Sequence, residues 1–142
     1  AIPAAALVAG AVYFTFGSGP SAVSPVKEAN ASSPAGGALV KITLPDALLE
    51  QAQMGKRAFD AVCATCHGEN AVGRDGMGPP LVHKIYEPSH HADYAFIMAV
   101  RNGVRAHHWG FGNMPPQEGL TDGDVKLITR YVRELQRTNG IE

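Results

Sequence analysis

The chain has 142 residues, 45% of them hydrophobic, with 12 Lys and Arg against 13 Asp and Glu and a formal net charge of −1. That length fits one compact domain of ~100 residues plus an extension, and the apolar content excludes a wholly disordered chain. Near-neutrality speaks against a nucleic-acid binder, which needs a basic excess, and two cysteines are too few for a disulfide scaffold.

From Ala1 to Phe16 there is no charge and almost no polar group. The stretch from Ile2 to Phe16 would span only ~22 Å as a helix, against ~30 Å for a bilayer core. The A-x-A pattern that follows the apolar run, Ala29-Asn30-Ala31, stands well beyond it, whereas a signal peptide is cut close behind the run. Residues 1–16 are therefore expected to be a membrane anchor rather than a cleaved signal. Residues 17–44 are rich in Gly, Ser, Pro and Ala and lack apolar periodicity, which predicts a flexible linker, extended over Leu39 to Leu44. The globular part is expected over 45–142.

Asp46, after Pro45, is expected to cap a helix that runs to about Val62. Leu48, Ala52, Gly55, Phe59 and Val62 share one face of it. A glycine on that face admits the close approach of another backbone. Gly68 to Ser89 reads as loop. A short helix follows, with Asp93 as its expected N-cap, Gly103 as its stop, and Phe96, Ile97 and Val100 facing inward. Thr121 and Asp124 resemble a capping box for the last helix. There Val125, Ile128, Tyr131, Val132 and Leu135 form an apolar stripe, Lys126, Arg130, Arg133 and Arg137 form a solvated basic one, and Gly140 ends the helix.

The chemistry centres on Cys63-Ala64-Thr65-Cys66-His67, a C-x-x-C-H that reads as c-type haem attachment. Two thiols three residues apart at a helix end can each add to one vinyl group of a porphyrin, and the adjacent His then stands where it can bind the iron. Three rival readings fit less well. Zinc needs four ligands, and His83, His90, His91, His107 and His108 do not offer the usual His spacing. A redox dithiol follows a strand, not a helix. A structural disulfide leaves His67 unexplained. For the sixth iron ligand, Met114 in Asn113-Met114-Pro115-Pro116 is the first candidate, held in a loop by the proline pair. Met54 and Met98 fall on predicted helices and Met77 lies close behind His67. His107 and His108 are rivals that would give a lower potential.

The order of these motifs resembles the class I c-type cytochromes. The resemblance covers about Leu44 to Asn139: Gly55 and Phe59, then Cys63-Ala64-Thr65-Cys66-His67-Gly68, Gly78-Pro79-Pro80-Leu81, Asn113-Met114-Pro115 and Tyr131. It implies an all-α fold of three to four helices around one covalent haem c. The first and last helices would cross at Gly55, with Phe59 packed on Tyr131. Iron would be held by His67 and Met114, and the Pro79 carbonyl would accept a hydrogen bond from the His67 ring. It also implies that Trp109 can donate to a haem propionate, whose charge Arg74 and Arg105 would offset. The paired histidines His90-His91 and His107-His108 are expected to be exposed loop residues.

The implied function is single-electron transfer between redox proteins or membrane complexes, on the periplasmic side of the cytoplasmic membrane, by a carrier tethered through its N-terminus. No nucleic acid is expected as a partner. A fixed subunit of a larger redox complex is the alternative, and a haem-based sensor or peroxidase-like enzyme a minor one.

Overall fold

The computed structural model describes residues 36–142. The expected anchor over 1–16 and most of the expected linker lie outside the described residues. Among those described the chain is all-α, as expected: α1 is Glu50–Val62, α2 Ala64–His67, α3 Asp93–Asn102 and α4 Asp122–Thr138, with 3₁₀ turns at Glu69–Ala71 and Lys84–Tyr86.

α1 and α4 form the frame, and they cross at Gly55. A Cβ on Gly55 would stand 1.9 Å from the Leu127 carbonyl oxygen, so only a glycine lets the two backbones come this close. One turn further along, Phe59 meets Tyr131 edge to face, with ring centroids 5.5 Å apart and planes at 62°. Both rings are buried with Ala52, Ile128, Val132 and Leu135, and Ala71 and Val82 join the same core from the loop behind α2. The Tyr131 hydroxyl donates to Asn70 Oδ1 at 3.1 Å, which satisfies its polar end. Beside this core, Ile97 and Val100 of α3 pack on Val125 of α4.

α1 begins later than Asp46 predicts. Asp46 sits in a bend, and Leu49 takes the N-cap position without a side-chain cap. Two contacts stop the chain from winding earlier. Leu48 is drawn onto the core, and the Leu49 N–H donates to Glu134 of α4 at 3.0 Å. α4 starts where its capping box predicts. Asp124 N–H donates to Thr121 Oγ1 at 3.2 Å, and Thr121 N–H donates to Asp124 Oδ2 at 2.8 Å.

The basic stripe of α4 is not uniformly solvated. Lys126, Arg130 and Arg137 are exposed, but Arg133 is only 6% exposed. Its guanidinium donates to the Tyr86 and His91 carbonyls and to Gln136 Oε1, lies 5.1 Å over the Phe96 ring, and reaches Asp93 Oδ1 at 2.8 Å. Gln136, fully buried, donates to the Leu81 carbonyl at 2.8 Å. The loop over 81–91 has few regular backbone bonds, and these two side chains supply the donors its carbonyls need. Asp93 is correspondingly not an N-cap. It is the first residue of α3, behind Ala92, and its carboxylate accepts from Arg133.

From Gly36 onward the expected linker lies along the domain. Gly36 N–H donates to the Asp75 carbonyl, and Leu39 and Val40 N–H to that of Val72. Thr43 and Asn139 exchange two hydrogen bonds, each 2.8 Å. Ile42 packs on the core.

Two stability predictions follow from these contacts. Gly55→Ala gains ~1 kcal/mol of helix propensity yet should lower stability by at least ~1 kcal/mol net, because the new methyl meets backbone rather than a flexible side chain. A urea midpoint at or above the parent's would show that the crossing tolerates a side chain. Arg133→Met should cost at least ~2 kcal/mol, because it removes the bonds to the Tyr86 carbonyl and Gln136 and leaves the part-buried His91 carbonyl without this donor. Asp93→Asn should cost under ~1 kcal/mol, since that carboxylate is 73% exposed and the pair is screened. Equal losses in chemical denaturation would assign the stabilisation to the ion pair instead.

Candidate functional site

The C-x-x-C-H segment stands on one further helical turn at the end of α1. Cys66 and His67 N–H both donate to the Cys63 carbonyl, at 3.1 and 2.9 Å, and Gly68 N–H to that of Ala64 at 2.9 Å. The chain then breaks away through Gly68 and passes Asn70 and Ala71, both in the left-handed region at φ 55° and 59°. The Ala71 carbonyl accepts from Leu81 and Val82 N–H, which folds the loop back on itself. Gly78 closes it: a Cβ there would stand 2.6 Å from the Cys66 carbonyl oxygen. This close approach carries the next residue to the His67 ring, whose Nδ1 lies 2.9 Å from the Pro79 carbonyl oxygen.

That bond decides the tautomer. A carbonyl only accepts, so Nδ1 carries the hydrogen and Nε2 keeps its lone pair. Burial lowers the His67 pKa, and the Pro79 bond opposes this to a smaller extent. At neutral pH the ring is a neutral donor with a fixed orientation.

Met114 is placed by a different device. After α3 stops at Gly103, Val104 and Met114 pair as an isolated antiparallel bridge, each N–H donating to the other's carbonyl at 2.9 Å. Ala106 N–H donates to Asn113 Oδ1, also at 2.9 Å. The intervening loop is thereby closed at its base, with Pro115 and Pro116 behind it. Met114 packs on Ile97, Val100 and Val125.

These segments surround a cavity of about 500 Å³. Cys63, His67 and Pro79 line it from the motif and its loop; Val104, Trp109, Phe111 and Met114 from the bridged loop; Phe96, Ala99 and Val100 from α3; and Val125 and Ile128 from α4. Five of the six sequence-predicted site residues therefore meet at one apolar cavity. The sixth, Cys66, is exposed and stands outside its lining. Arg74 donates to the Thr65 carbonyl at 2.8 Å, and Arg105 is exposed.

The residues fit a haem on two observations. The cavity is apolar and within the size range of cofactor sites, with an imidazole and a thioether on its walls. And Trp109 Nε1 is buried with no hydrogen-bond partner among the described residues, a costly arrangement that an acidic group entering the cavity would relieve. The surroundings of the cysteines disfavour the rival readings. Both thiols are free. Cys63 is pushed up to about 11, by burial first and by Cys66 second, the opposite of the depressed thiol of a redox dithiol. Among the described residues, neither thiol belongs to a group of three or more His, Cys, Asp or Glu side chains close enough to share an ion.

Sequence reasoning missed two parts of the site. One is the Arg133–Gln136 clamp, which holds the loop bearing Leu81, Tyr86 and His91, all three lining the cavity. The helical spacing of Thr129, Arg133 and Gln136 beside the apolar stripe was its available signal. The other is the histidines. His90, His107 and His108 are exposed, as expected, but His91 is half-buried, and the four do not lie apart as ordinary loop residues. The bridge at Val104 and Met114 folds His107 and His108 back against His90 and His91. Ring centroids run from 4.2 Å for His107–His108 to 6.2 Å for His91–His107, and His91, His107 and His108 line the cavity.

The family model for cytochrome c matches residues 52–136, from α1 through α4. The chain is also 34% identical over 90 residues to the Cbb3-type cytochrome c oxidase subunit CcoP of Azospirillum brasilense. That match covers 59% of this chain and 28% of the relative, so the chain spans well under half the length of the protein it resembles.

Proposed function

The chain belongs to the cytochrome c family, and on that premise we propose that it transfers single electrons through one covalently held haem c, without bond-making chemistry on a substrate. The observation that carries this reading is the shared cavity of Cys63, His67 and Met114, with the His67 tautomer set by Pro79. A c-type haem, when bound, supplies an iron that changes between ferric and ferrous.

The chain's residues do the rest. Cys63 and Cys66 would hold the group by thioether bonds. His67 would offer Nε2 to the iron, and its bond to Pro79 would strengthen it as a donor. Met114 would offer a thioether to the iron, which favours a higher potential than a second imidazole. Trp109 would give its indole N–H to an acidic group of the haem. Phe96, Val100, Val125 and Ile128 would exclude water, so that a charge change would fall in a low dielectric.

Met114→Ala tests the ligand set in the holoprotein. It should abolish the weak long-wavelength absorption band of a thioether–ferric iron pair, lower the potential, and let carbon monoxide bind. A variant with unchanged spectra would move the role to His107 or His108.

We place the domain on the periplasmic side of the cytoplasmic membrane, tethered by residues 1–16 and shuttling between membrane-bound or periplasmic redox partners. The apolar N-terminal run supports the tether, which would raise the local concentration at membrane partners. A second reading, a fixed subunit of a larger redox complex, is favoured by the likeness to an oxidase subunit. A truncation at residue 35 tests the tether while sparing the hydrogen bonds made from Gly36 onward. The full-length protein should fractionate with membranes and the truncated one as a soluble protein with the same haem spectrum. Full-length material recovered in the soluble periplasmic extract would end the tether model, and stoichiometric co-purification with other subunits would favour the second reading.

A further inference from the structure

The four histidines form a cluster that the electron-transfer reading does not use. They come from two segments far apart in sequence: the loop entering α3 brings His90 and His91, and the bridged loop brings His107 and His108. The ligand nitrogens of His90, His91 and His108 all lie within 4.8 Å of one another. None of the four forms a salt bridge among the described residues.

We propose that His90, His91 and His108 bind a divalent cation of the zinc and copper class. The donor chemistry selects that class. A set made only of imidazole nitrogens suits late first-row ions, whereas calcium and magnesium require oxygen ligands. With metal–nitrogen bonds of ~2.0–2.1 Å, a tetrahedral ion needs its nitrogens ~3.4 Å apart. The nitrogens, all within 4.8 Å of one another, have to draw closer to reach that spacing, and two of the three side chains, His90 and His108, are exposed.

The tautomers point the same way. His91 Nδ1 lies 2.7 Å from the Ile85 carbonyl oxygen, so Nδ1 is the donor and Nε2 keeps the lone pair. A backbone acceptor of this kind is the usual orienting partner of a metal-binding imidazole. His107 repeats the arrangement, with Nδ1 2.8 Å from the Arg105 carbonyl oxygen. Its ring centroid is 4.2 Å from that of His108, but it does not belong to the three-histidine group, so water would complete the shell. The loops so joined both line the haem cavity, so a bound ion ties two of its walls together. The site uses neither His67 nor Met114 and stands apart from the iron-ligand assignment.

Zinc, which is redox-silent, is the probe. Tag-free haem-loaded protein titrated with zinc in a calorimeter should bind one ion per chain. His90→Gln and His108→Gln should each weaken binding by at least ~10-fold, the lower end of what loss of a mere orienting partner costs. His90 does not line the cavity, so His90→Gln should retain the parent's haem absorption spectrum and thermal midpoint without zinc. Absence of saturable zinc binding, or parental affinity in both variants, would overturn the proposal. Met114→Ala should bind zinc like the parent; loss of binding there would also overturn it, by making the iron site responsible.

Discussion

The crossing of α1 and α4 at Gly55 is the constraint on which the rest depends. With no side chain at Gly55, the helix backbones come into contact at Leu127, and Phe59 and Tyr131 can interlock one turn on. This fixes the end of α1, and with it Cys63 and His67, against the face of α4 that carries Val125 and Ile128. Those two residues are at once core and cavity wall. The energy that holds the frame together therefore also sets the positions of the motif and the apolar surface opposite it. Apolar burial stabilises without direction; the close backbone approach is what makes the arrangement specific.

Around that frame, polar side chains do what regular structure does not. Long stretches between α2 and α4 have neither helix nor sheet to satisfy their backbone. Arg133 and Gln136 donate to carbonyls of the 81–91 loop, and Asn139 pairs with Thr43. The Val104–Met114 bridge closes the other long loop. Each of these contacts joins residues distant in sequence, and each holds a wall of the cavity or an end of the domain. Arg133 illustrates the balance of magnitudes. Its ion pair with a mostly exposed Asp93 counts for little, while its several bonds to part-buried loop carbonyls and to the buried Gln136 count for more.

The site divides into a rigid side and an exposed side. His67 is packed, its ring bonded to a loop that Gly78 presses onto the motif. The histidine cluster stands on two loops beside the same cavity, and its side chains are largely exposed. In the proposed electron carrier a packed His67 would limit reorganisation around the iron, while the proposed cation site would use loops that are largely exposed. The same bridge that places Met114 also turns His107 and His108 toward His90 and His91, so one backbone feature serves both.

The all-α class, the C-x-x-C-H, the Met114 loop, the capping box and the apolar stripes of α1 and α4 were legible in the sequence, because each depends on residues close together along the chain or on helical periodicity. Gly55 and Pro79 were legible through resemblance, and the structure places Gly55 in a close backbone contact and the Pro79 carbonyl against the His67 ring. The start of α1 was misplaced, because a glutamate on α4 and a core contact at Leu48 outweighed the local signal of Asp46. Arg133 was assigned to solvent, because a helical wheel does not contain the loop that covers it. The histidines read as two unrelated polar pairs, since only the folding back of the chain at Val104 and Met114 brings them together. Local propensity and pattern act over a few residues; which buried carbonyl lacks a donor, and which exposed loops meet, is decided only when distant segments share a surface.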